Sequence, residues 1–317
     1  MLCLSPAGRR DSLMIGKSPI VAAALVSAFL LFVLPCIHAQ KEKAQTPLFR
    51  VNVDMVFVKV VVTDPLNRSI TGLEKEDFDI YEDNIRQPIV HFSQHSAPVS
   101  VGFIFDRSGS MSYDHKYIVG RNWFNQLVEA GETNPDDEYF LITFNQKIDL
   151  VHSFMGDPSR FAFDVILQKP SGWTALFDAV YRGIDKVKEG KNEKKALIVI
   201  TDGGENRSRY RWNELRDLAM ESDVQIYAIG VDPSGYALLK KLATLTGGRA
   251  FLPEVAGIDY YINLINTELR NQYLLGYVPS NTARDGKWRR IRVKLDLPRG
   301  IPKLSVRTRD GYYAPRD

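Results

Sequence analysis

Strands and helices alternate along the middle of this chain, and that alternation limits the possible folds more than any other feature. From Pro98 to about Asn271, short apolar runs alternate with stretches whose apolar residues have helical spacing. This pattern predicts βαβ units and a mostly parallel sheet covered by helices on both faces. The predicted strands are 99–105, 139–144, 196–201, 224–231 and 250–252. The predicted helices are 117–130, 175–188, 212–221, 237–246 and 258–271.

The segments on either side of this region have a different pattern. Residues 48–95 show apolar residues at every second position, separated by turn signals, which predicts a small all-β segment. The β pattern returns over 272–317. Neither flank can bury enough area to fold alone, whereas their short strands together are enough for one β-sandwich. We predict an α/β fold with a doubly wound sheet over 98–271, and an accessory β-sandwich in which 48–95 pairs with 272–317.

The N-terminus has the pattern of an export signal. Basic residues precede an apolar run over 20–34, and Ala39 offers a small residue for cleavage. The run is shorter than the roughly 20 residues that a membrane span needs. We predict a signal peptide over 1–39 and an exported protein that is periplasmic, on the cell surface or secreted. The alternative is an inner-membrane protein anchored by an uncleaved 20–34.

Charge and cysteine content exclude several classes of function. The formal net charge is only +3 in 317 residues, which gives no electrostatic reason to bind nucleic acid or an anionic membrane. Cleavage after Ala39 would remove both cysteines, Cys3 and Cys36, and with them any disulfide or thiol chemistry. No GxSxG motif, phosphate loop or Rossmann fingerprint is present. We expect no nucleic-acid partner, and no membrane contact beyond the export signal or anchor.

Oxygen-bearing side chains stand where three predicted elements begin or end. Two serines and an aspartate occupy alternate positions in DRSGS, directly after the first strand of the α/β region; a threonine precedes a helix, and a second aspartate ends another strand. In α/β sheets, ligands bind outside the carboxyl ends of the strands. Five oxygens without Cys or His favour a hard cation, Mg²⁺ first and Mn²⁺ or Ca²⁺ next. The candidate metal ligands are Asp106, Ser108, Ser110, Thr174 and Asp202. The alternative is that the first loop only caps the helix after it, through Ser110 or Ser112.

This constellation resembles the metal-ion-dependent adhesion site of a von Willebrand factor type A domain. DxSxS follows a buried strand, a Thr precedes a helix and TDG ends a strand, over about 98–271. The flanks, including the segments 274–277 (LLGY) and 311–314 (GYYA), resemble bacterial proteins described as von Willebrand factor type A-related acidobacterial domains. The resemblance implies that the two serines and the threonine contact the metal. It also implies that the two aspartates hold the metal directly or through water.

These features favour binding over catalysis. Hydroxyl ligands leave much of the divalent charge uncompensated, so an open coordination position attracts an outside carboxylate. Catalysis would need a general base or a second metal, and of the histidines after the signal only His115 follows a ligand loop closely. We predict a metal-dependent protein-binding or adhesion module, not an enzyme, whose partner presents an Asp or Glu carboxylate. The alternatives are an envelope scaffold or assembly factor with a purely structural metal site, and a metal-assisted hydrolase.

Large and basic side chains near the ligand loops predict a partner-binding rim. These residues are Tyr113, Trp173, Arg207, Arg209 and Tyr210. Aromatic residues and arginine are typical of binding hot spots, and the arginines would attract an acidic partner. In the alternative interpretation Trp173 lies in the core and the arginines are simply solvated.

Two further patterns remain outside this site. A basic row, Lys287, Arg289, Arg290, Arg292 and Lys294, is typical of the outer face of an edge strand, where charge blocks unwanted pairing; a basic binding patch is the alternative. The last helix of the α/β region runs into the strand at Tyr273 with almost no linker. The family resemblance implies that this helix can slide when the metal takes an acidic ligand, and the alternative is a rigid junction.

Overall fold

The computed structural model describes residues 54–94, 97–129, 134–252, 257–298 and 303–316. The predicted signal peptide, 1–39, lies outside these residues. Within the described ranges, no helix has the length and apolar character that a membrane crossing requires.

Strands and helices are numbered here in chain order. The strands are β1 (Val56–Thr63), β2 (Phe78–Glu82), β3 (Ile85–Gln87), β4 (Ile89–Gln94), β5 (Val99–Asp106), β6 (Glu138–Phe144), β7 (Ile148–Met155), β8 (Lys194–Thr201), β9 (Val224–Gly230), β10 (Ala250–Phe251), β11 (Tyr273–Tyr277), β12 (Trp288–Leu295), β13 (Ser305–Arg307) and β14 (Gly311–Tyr313). The α-helices are α1 (Lys116–Glu129), α2 (Ser159–Leu167), α3 (Leu176–Lys188), α4 (Trp212–Glu221), α5 (Tyr236–Leu245) and α6 (Ile258–Arg270).

A six-stranded sheet forms the centre of the α/β region, in the order β10-β9-β8-β5-β6-β7. All neighbours pair in parallel except β6 and β7, which are antiparallel. Every residue of β5, β6 and β9 is buried, as expected for strands covered on both faces. Core residues of α1, α2 and α6 pack on one face, and those of α3, α4 and α5 pack on the other. The predicted doubly wound, mostly parallel α/β fold is confirmed.

The pattern did not predict β7 or α2. β7 is an edge strand in which most residues are half-buried and three are exposed, so it lacks the continuous apolar run that marks the inner strands. α2 has only nine residues, and three of its large apolar side chains, Phe163, Ile166 and Leu167, are exposed. Both elements therefore depart from the burial pattern on which the prediction relied.

The two flanks of the chain form two four-stranded sheets, in the orders β13-β1-β11-β4 and β14-β12-β2-β3. Each sheet combines strands from both flanks: β1 pairs with β11, and β2 pairs with β12, both antiparallel. The apolar faces of the two sheets share one core, in which Val58, Ile80 and Tyr277 are fully buried. The buried Tyr277 hydroxyl donates to Glu82 Oε2 at 2.7 Å. The predicted accessory sandwich is confirmed.

The prediction that the basic row lies on the outer face of an edge strand is wrong. β12 lies inside its sheet, between β14 and β2. Alternation also divides the row between two faces: Arg289 is only 4% exposed and pairs with Asp285 at 2.9 Å, whereas Arg290, Arg292 and Lys294 are exposed. The reason is the period of two, which sends odd-numbered residues of β12 into the core and even-numbered ones to the outer face.

Candidate metal centre

The carboxyl end of β5 supplies one buried carboxylate and two hydroxyls. Asp106 is fully buried; its Oδ1 accepts from the backbone N–H of Ser108 at 2.7 Å, and its Oδ2 accepts from the Thr201 hydroxyl at 2.5 Å. Ser108 is also fully buried and precedes a short 3-10 helix, Gly109–Ser112. That turn places the Ser108 and Ser110 hydroxyls 3.2 Å apart. Three of the predicted ligands therefore lie together.

The other two predicted ligands stand on loops that are joined by backbone hydrogen bonds. Thr174, 2% exposed, lies just before α3, and its carbonyl accepts from the N–H groups of Asn206 and Arg207, each at 3.0 Å. Its own N–H donates to Asn206 Oδ1 at 2.9 Å. Asp202, 5% exposed, follows β8 directly. The loop before α3 is thereby fixed against the loop after β8.

Gly204 marks the point on which these loops converge. A Cβ atom at Gly204 would lie 3.1 Å from Asp202 Oδ1, 3.6 Å from Thr174 Oγ1 and 3.9 Å from Ser110 Oγ. Because residue 204 has no side chain, this space between three candidate ligands stays open. The structure thus brings all five predicted oxygens into one neighbourhood, and the space beside Gly204 fits a small cation.

The donor set restricts which metal the site can take. Among the residues that the structure describes, no group of three or more His, Cys, Asp or Glu side chains could hold a metal. An ion beside Gly204 would therefore rely on hydroxyl oxygens together with two carboxylates. That donor chemistry fits a hard cation and does not fit the soft or nitrogen-rich sites of copper and zinc.

Burial dominates the electrostatics of Asp106. Desolvation raises the pKa of Asp106 to about 6, although hydrogen bonds from Thr201 and Ser108 oppose the rise. Repulsion from Asp202 adds to it. A carboxylate that is buried among neutral hydroxyls is costly when ionised, and a bound divalent cation would offset that cost.

Sequence reasoning missed Lys116 and Asp232, which adjoin the predicted ligands. Lys116 Nζ lies 2.8 Å from Asp232 Oδ2 and 3.6 Å from Asp202 Oδ2. Burial lowers the pKa of Lys116, but the two aspartates outweigh it and raise that pKa overall. Hydrogen bonds from Lys116 and Ser234 lower the pKa of Asp232 to about 2. The position of Asp232 just after β9, at the same edge of the sheet, is the signal that could have identified it.

Two of the predicted rim residues extend into solvent beside the ligand loops. Tyr113 is 68% exposed and Trp173 is 63% exposed, so the alternative that places Trp173 in the core is wrong. The turn before Trp173 needs a glycine, since Gly172 has φ +81° and a Cβ there would collide with Gln146. The Trp173 N–H donates to Gln146 Oε1 at 2.8 Å. This anchored backbone presents the indole outward.

The other rim residues follow β8 and differ in how they are held. Arg207 is exposed. Arg209 Nε lies 3.2 Å from Asp178 Oδ2 on α3. The Tyr210 ring stacks on Tyr181 with centroids 3.8 Å apart. Tyr210 is thus held against α3, whereas Arg207 and Arg209 both face solvent, Arg209 with its side chain 86% exposed despite its contact with Asp178.

The fold and this hydroxyl-rich site together define an α/β domain with a candidate cation site at the carboxyl ends of its strands. The sequence model of the von Willebrand factor type A domain matches residues 100–255. This match spans 156 of the 317 residues and contains nearly all of the six-stranded sheet, so this region of the chain matches a type A domain. No curated protein matches the chain.

Solved structures with a similar fold include three of different origin. BatB from Bacteroides thetaiotaomicron, a conserved hypothetical protein, is 17% identical with a TM-score of 0.44, over 54% of this chain and 97% of that chain. Manganese-loaded TRAP protein of Plasmodium vivax is 15% identical with a TM-score of 0.47, over 74% and 98%. Proximal thread matrix protein 1 from the mussel byssus, with a zinc occupied MIDAS motif, is 18% identical with a TM-score of 0.44, over 56% and 49%.

Proposed function

We propose that this protein is an exported, metal-dependent binding module of the adhesion type. It binds a divalent cation, Mg²⁺ in the first place, in the space beside Gly204. The proposed ligands, acting directly or through water, are Asp106, Ser108, Ser110, Thr174 and Asp202. One observation carries this proposal: oxygens from three separate loops lie within 4 Å of a single open point at Gly204.

The proposed partner is a protein that presents an Asp or Glu carboxylate to the metal. Only two of the five proposed ligands carry charge, and Lys116 already lies 3.6 Å from one of them, Asp202. Two carboxylates balance the charge of a divalent ion as a whole, but where they act through water the ion contacts only neutral oxygens and favours an additional anionic ligand. A carboxylate from a partner satisfies both the charge and the preference of Mg²⁺ for oxygen.

The side chains around the site would select that partner. Tyr113 and Trp173 provide exposed aromatic area next to the ligand loops, which suits apolar contacts that exclude water around the metal–carboxylate bond. Arg207 adds an exposed positive charge on the adjoining loop. We propose that these three residues, together with the exposed Arg209, form the functional rim, whereas Tyr210 mainly holds the loop against α3.

The positions of the histidines favour binding over catalysis. His152 lies 2.6 Å from Asp164 and stacks on Phe161 at 4.9 Å between centroids, so its ring is engaged on α2. His115 is exposed on the turn before α1. A proton-transfer role would need a base held against the metal-bound group. Neither His152 nor His115 is held in that way.

A capture experiment separates the proposed function from its alternatives. Immobilised protein is exposed to an envelope extract in Mg²⁺ or in chelator, with the Ser108→Ala/Ser110→Ala variant alongside. We expect a partner that is retained in Mg²⁺, released by chelator and absent from the variant. Retention after chelation would instead support the scaffold, and turnover of any substrate by the metal-loaded protein would support the hydrolase.

A further inference from the structure

A groove lined by arginines separates the type A domain from the β-sandwich. Its volume is about 770 Å³. α4 and the turn Gly247-Gly248 form the wall on the domain side, and β12 and the segment 306–310 form the wall on the sandwich side. That turn precedes β10, whereas the candidate metal ligands follow β5 and β8. The groove therefore lies at the opposite end of the parallel strands from the metal centre.

The walls of the groove are held rigidly where the two parts meet. Gly247 has φ +77°, and a Cβ there would lie 2.9 Å from the backbone of Thr308. Only glycine permits both that conformation and that close approach. The Tyr313 hydroxyl donates to Asp217 Oδ1 on α4 at 3.2 Å, which closes the other side. The groove is therefore a fixed feature of how the two parts pack.

The charge of the groove is strongly one-sided. Among the lining residues that the structure describes, five are arginines and one, Asp310, is acidic. The arginines are Arg216, Arg290, Arg292, Arg307 and Arg309. The whole chain has a formal net charge of only +3. Where such charges are not paired within the protein, their concentration in one cleft raises the local attraction for anions.

Three of these arginines are already committed to the protein itself. Arg307 pairs with Glu268, which is completely buried on α6. Arg309 donates to the carbonyl of Phe57 at 2.7 Å. Arg216 donates to the carboxylate of the following residue at 2.6 Å. These arginines shape the groove and are not free to bind a ligand strongly.

The row on β12 remains available. Arg290 and Arg292 are exposed, and neither side chain makes an ion pair or hydrogen bond with any residue in the described part of the chain. Asp310 is the acidic group that interacts electrostatically with Arg290 over a longer distance. Lys294 continues the row, with its Nζ 4.8 Å from the ring centre of Tyr81. The row therefore presents positive charge that the fold does not neutralise.

The spacing of this row indicates the ligand. Side chains at alternate positions of a strand point to the same face about 6.8 Å apart, and the same spacing separates alternate side chains of any extended peptide. Trp288 and Tyr313, whose ring centroids are 5.0 Å apart, add aromatic surface at one end of the row. A flat lipid bilayer cannot reach the bottom of a groove that has α4 along one side. We propose that the groove binds an extended acidic protein segment with Asp or Glu at alternate positions.

Fluorescence anisotropy with a defined peptide tests this proposal. The probe is a labelled peptide of five Glu-Ser repeats, titrated with the full chain in chelator so that the metal centre does not contribute. Arg290→Gln/Arg292→Gln removes two groove charges, and Arg160→Gln/Arg182→Gln removes two exposed charges on α2 and α3 as a matched control. We expect binding by the wild type, a loss of about tenfold in the groove variant and no change in the control.

Comparison probes decide the nature of the occupant. A peptide of the same composition, with the five Glu residues in one block, should bind several-fold more weakly than the alternating peptide. Equal losses in the groove variant and the control, or no binding by the wild type, would overturn the site. Tighter binding of heparin or of phosphatidylserine vesicles, lost in the groove variant, would overturn the peptide as occupant. Circular dichroism melts of both variants confirm that each remains folded.

Discussion

The candidate metal centre and the basic groove are both proposed to bind an acidic partner, but they are built in opposite ways. The candidate metal centre buries oxygen atoms, with Asp106 and Ser108 fully inaccessible, and in the proposed function a cation completes it. The groove exposes an excess of cations, in Arg290 and Arg292, and needs an anion. A buried site gains from low dielectric and fixed geometry, whereas an exposed one is screened by salt. We therefore expect the metal centre to determine specificity and the groove to add salt-sensitive affinity.

Replacing Asp106 should give the largest effect and break the metal centre alone. Asp106→Asn keeps the shape of the side chain but removes its charge, so we expect loss of measurable Mg²⁺ binding. Because burial raises the pKa of Asp106 to about 6, the ionised carboxylate destabilises the metal-free protein above that pH. In chelator at pH 8, the free energy of unfolding of this variant should therefore exceed that of the wild type by about 2 kcal/mol.

Chemical denaturation in chelator and in Mg²⁺ measures both effects. The acidic peptide should bind this variant as it binds the wild type. Wild-type Mg²⁺ affinity in Asp106→Asn would exclude this residue as a ligand. Loss of peptide binding would show that the two regions are not independent.

Removing the charge of Glu268 tests whether the two regions communicate. Glu268 is fully buried on α6 and pairs with Arg307 of β13, while Arg270 at the end of the same helix lies 2.7 Å from Asp137. These contacts favour the rigid junction over a sliding helix. Glu268→Gln should cost about 3 kcal/mol of stability, because it leaves Arg249 and Arg307 without the carboxylate that they share.

The same variant should keep its Mg²⁺ affinity, measured by calorimetry below its melting temperature. Coupling between sites is reciprocal, so a sliding helix would change the metal affinity when its anchor is removed. A several-fold change in the Mg²⁺ dissociation constant would contradict the rigid junction and would instead support a sliding α6.

Truncating Trp173 should weaken the metal-dependent partner without affecting the groove. Trp173→Ala removes an exposed indole next to Thr174, and hot-spot aromatics typically contribute about 2 kcal/mol. Phe163→Ala, which removes a comparably exposed aromatic from α2, is the matched control. Binding of the partner identified by chelator-sensitive capture gives the measurement. Equal losses in both variants would mean that Trp173 is not part of a specific rim.

Lowering the pH should weaken the metal centre by a smaller, graded amount. The metal needs the ionised form of Asp106, whose pKa burial raises to about 6, so protons compete with Mg²⁺ below that pH. Between pH 7 and pH 5 we expect a loss of about tenfold in Mg²⁺ affinity, measured by calorimetry. The stability of the metal-free protein changes in the opposite direction. In chelator the protonated carboxyl of Asp106 costs less to bury than the ionised one, so the free energy of unfolding falls as the pH rises through 6. Constant Mg²⁺ affinity over this range would contradict a role for Asp106.

Sequence reasoning predicted the fold because both of its signals are local. Alternation of strands and helices identified the sheet, and the carboxyl-end rule put the five oxygens at one edge. Asp232 was missed although it follows β9 at the same edge, and Lys116 was missed because only the folded structure brings it to Asp232. The groove was missed for a related reason: the basic row was visible, but only the packing of the sandwich against α4 shows which of its residues remain exposed.

The central claim is that a cation occupies the space beside Gly204, and one calorimetric comparison tests it directly. Gly204 does not have a left-handed φ, so alanine fits its backbone, but the new Cβ would lie 3.1 Å from Asp202 Oδ1. Gly156→Ala is the control, since a Cβ there meets only Asp137 O at 3.8 Å. We expect wild type and Gly156→Ala to bind Mg²⁺ alike, and Gly204→Ala to lose at least about tenfold in affinity while melting normally in chelator. Equal Mg²⁺ affinity in all three proteins would contradict the proposed metal centre.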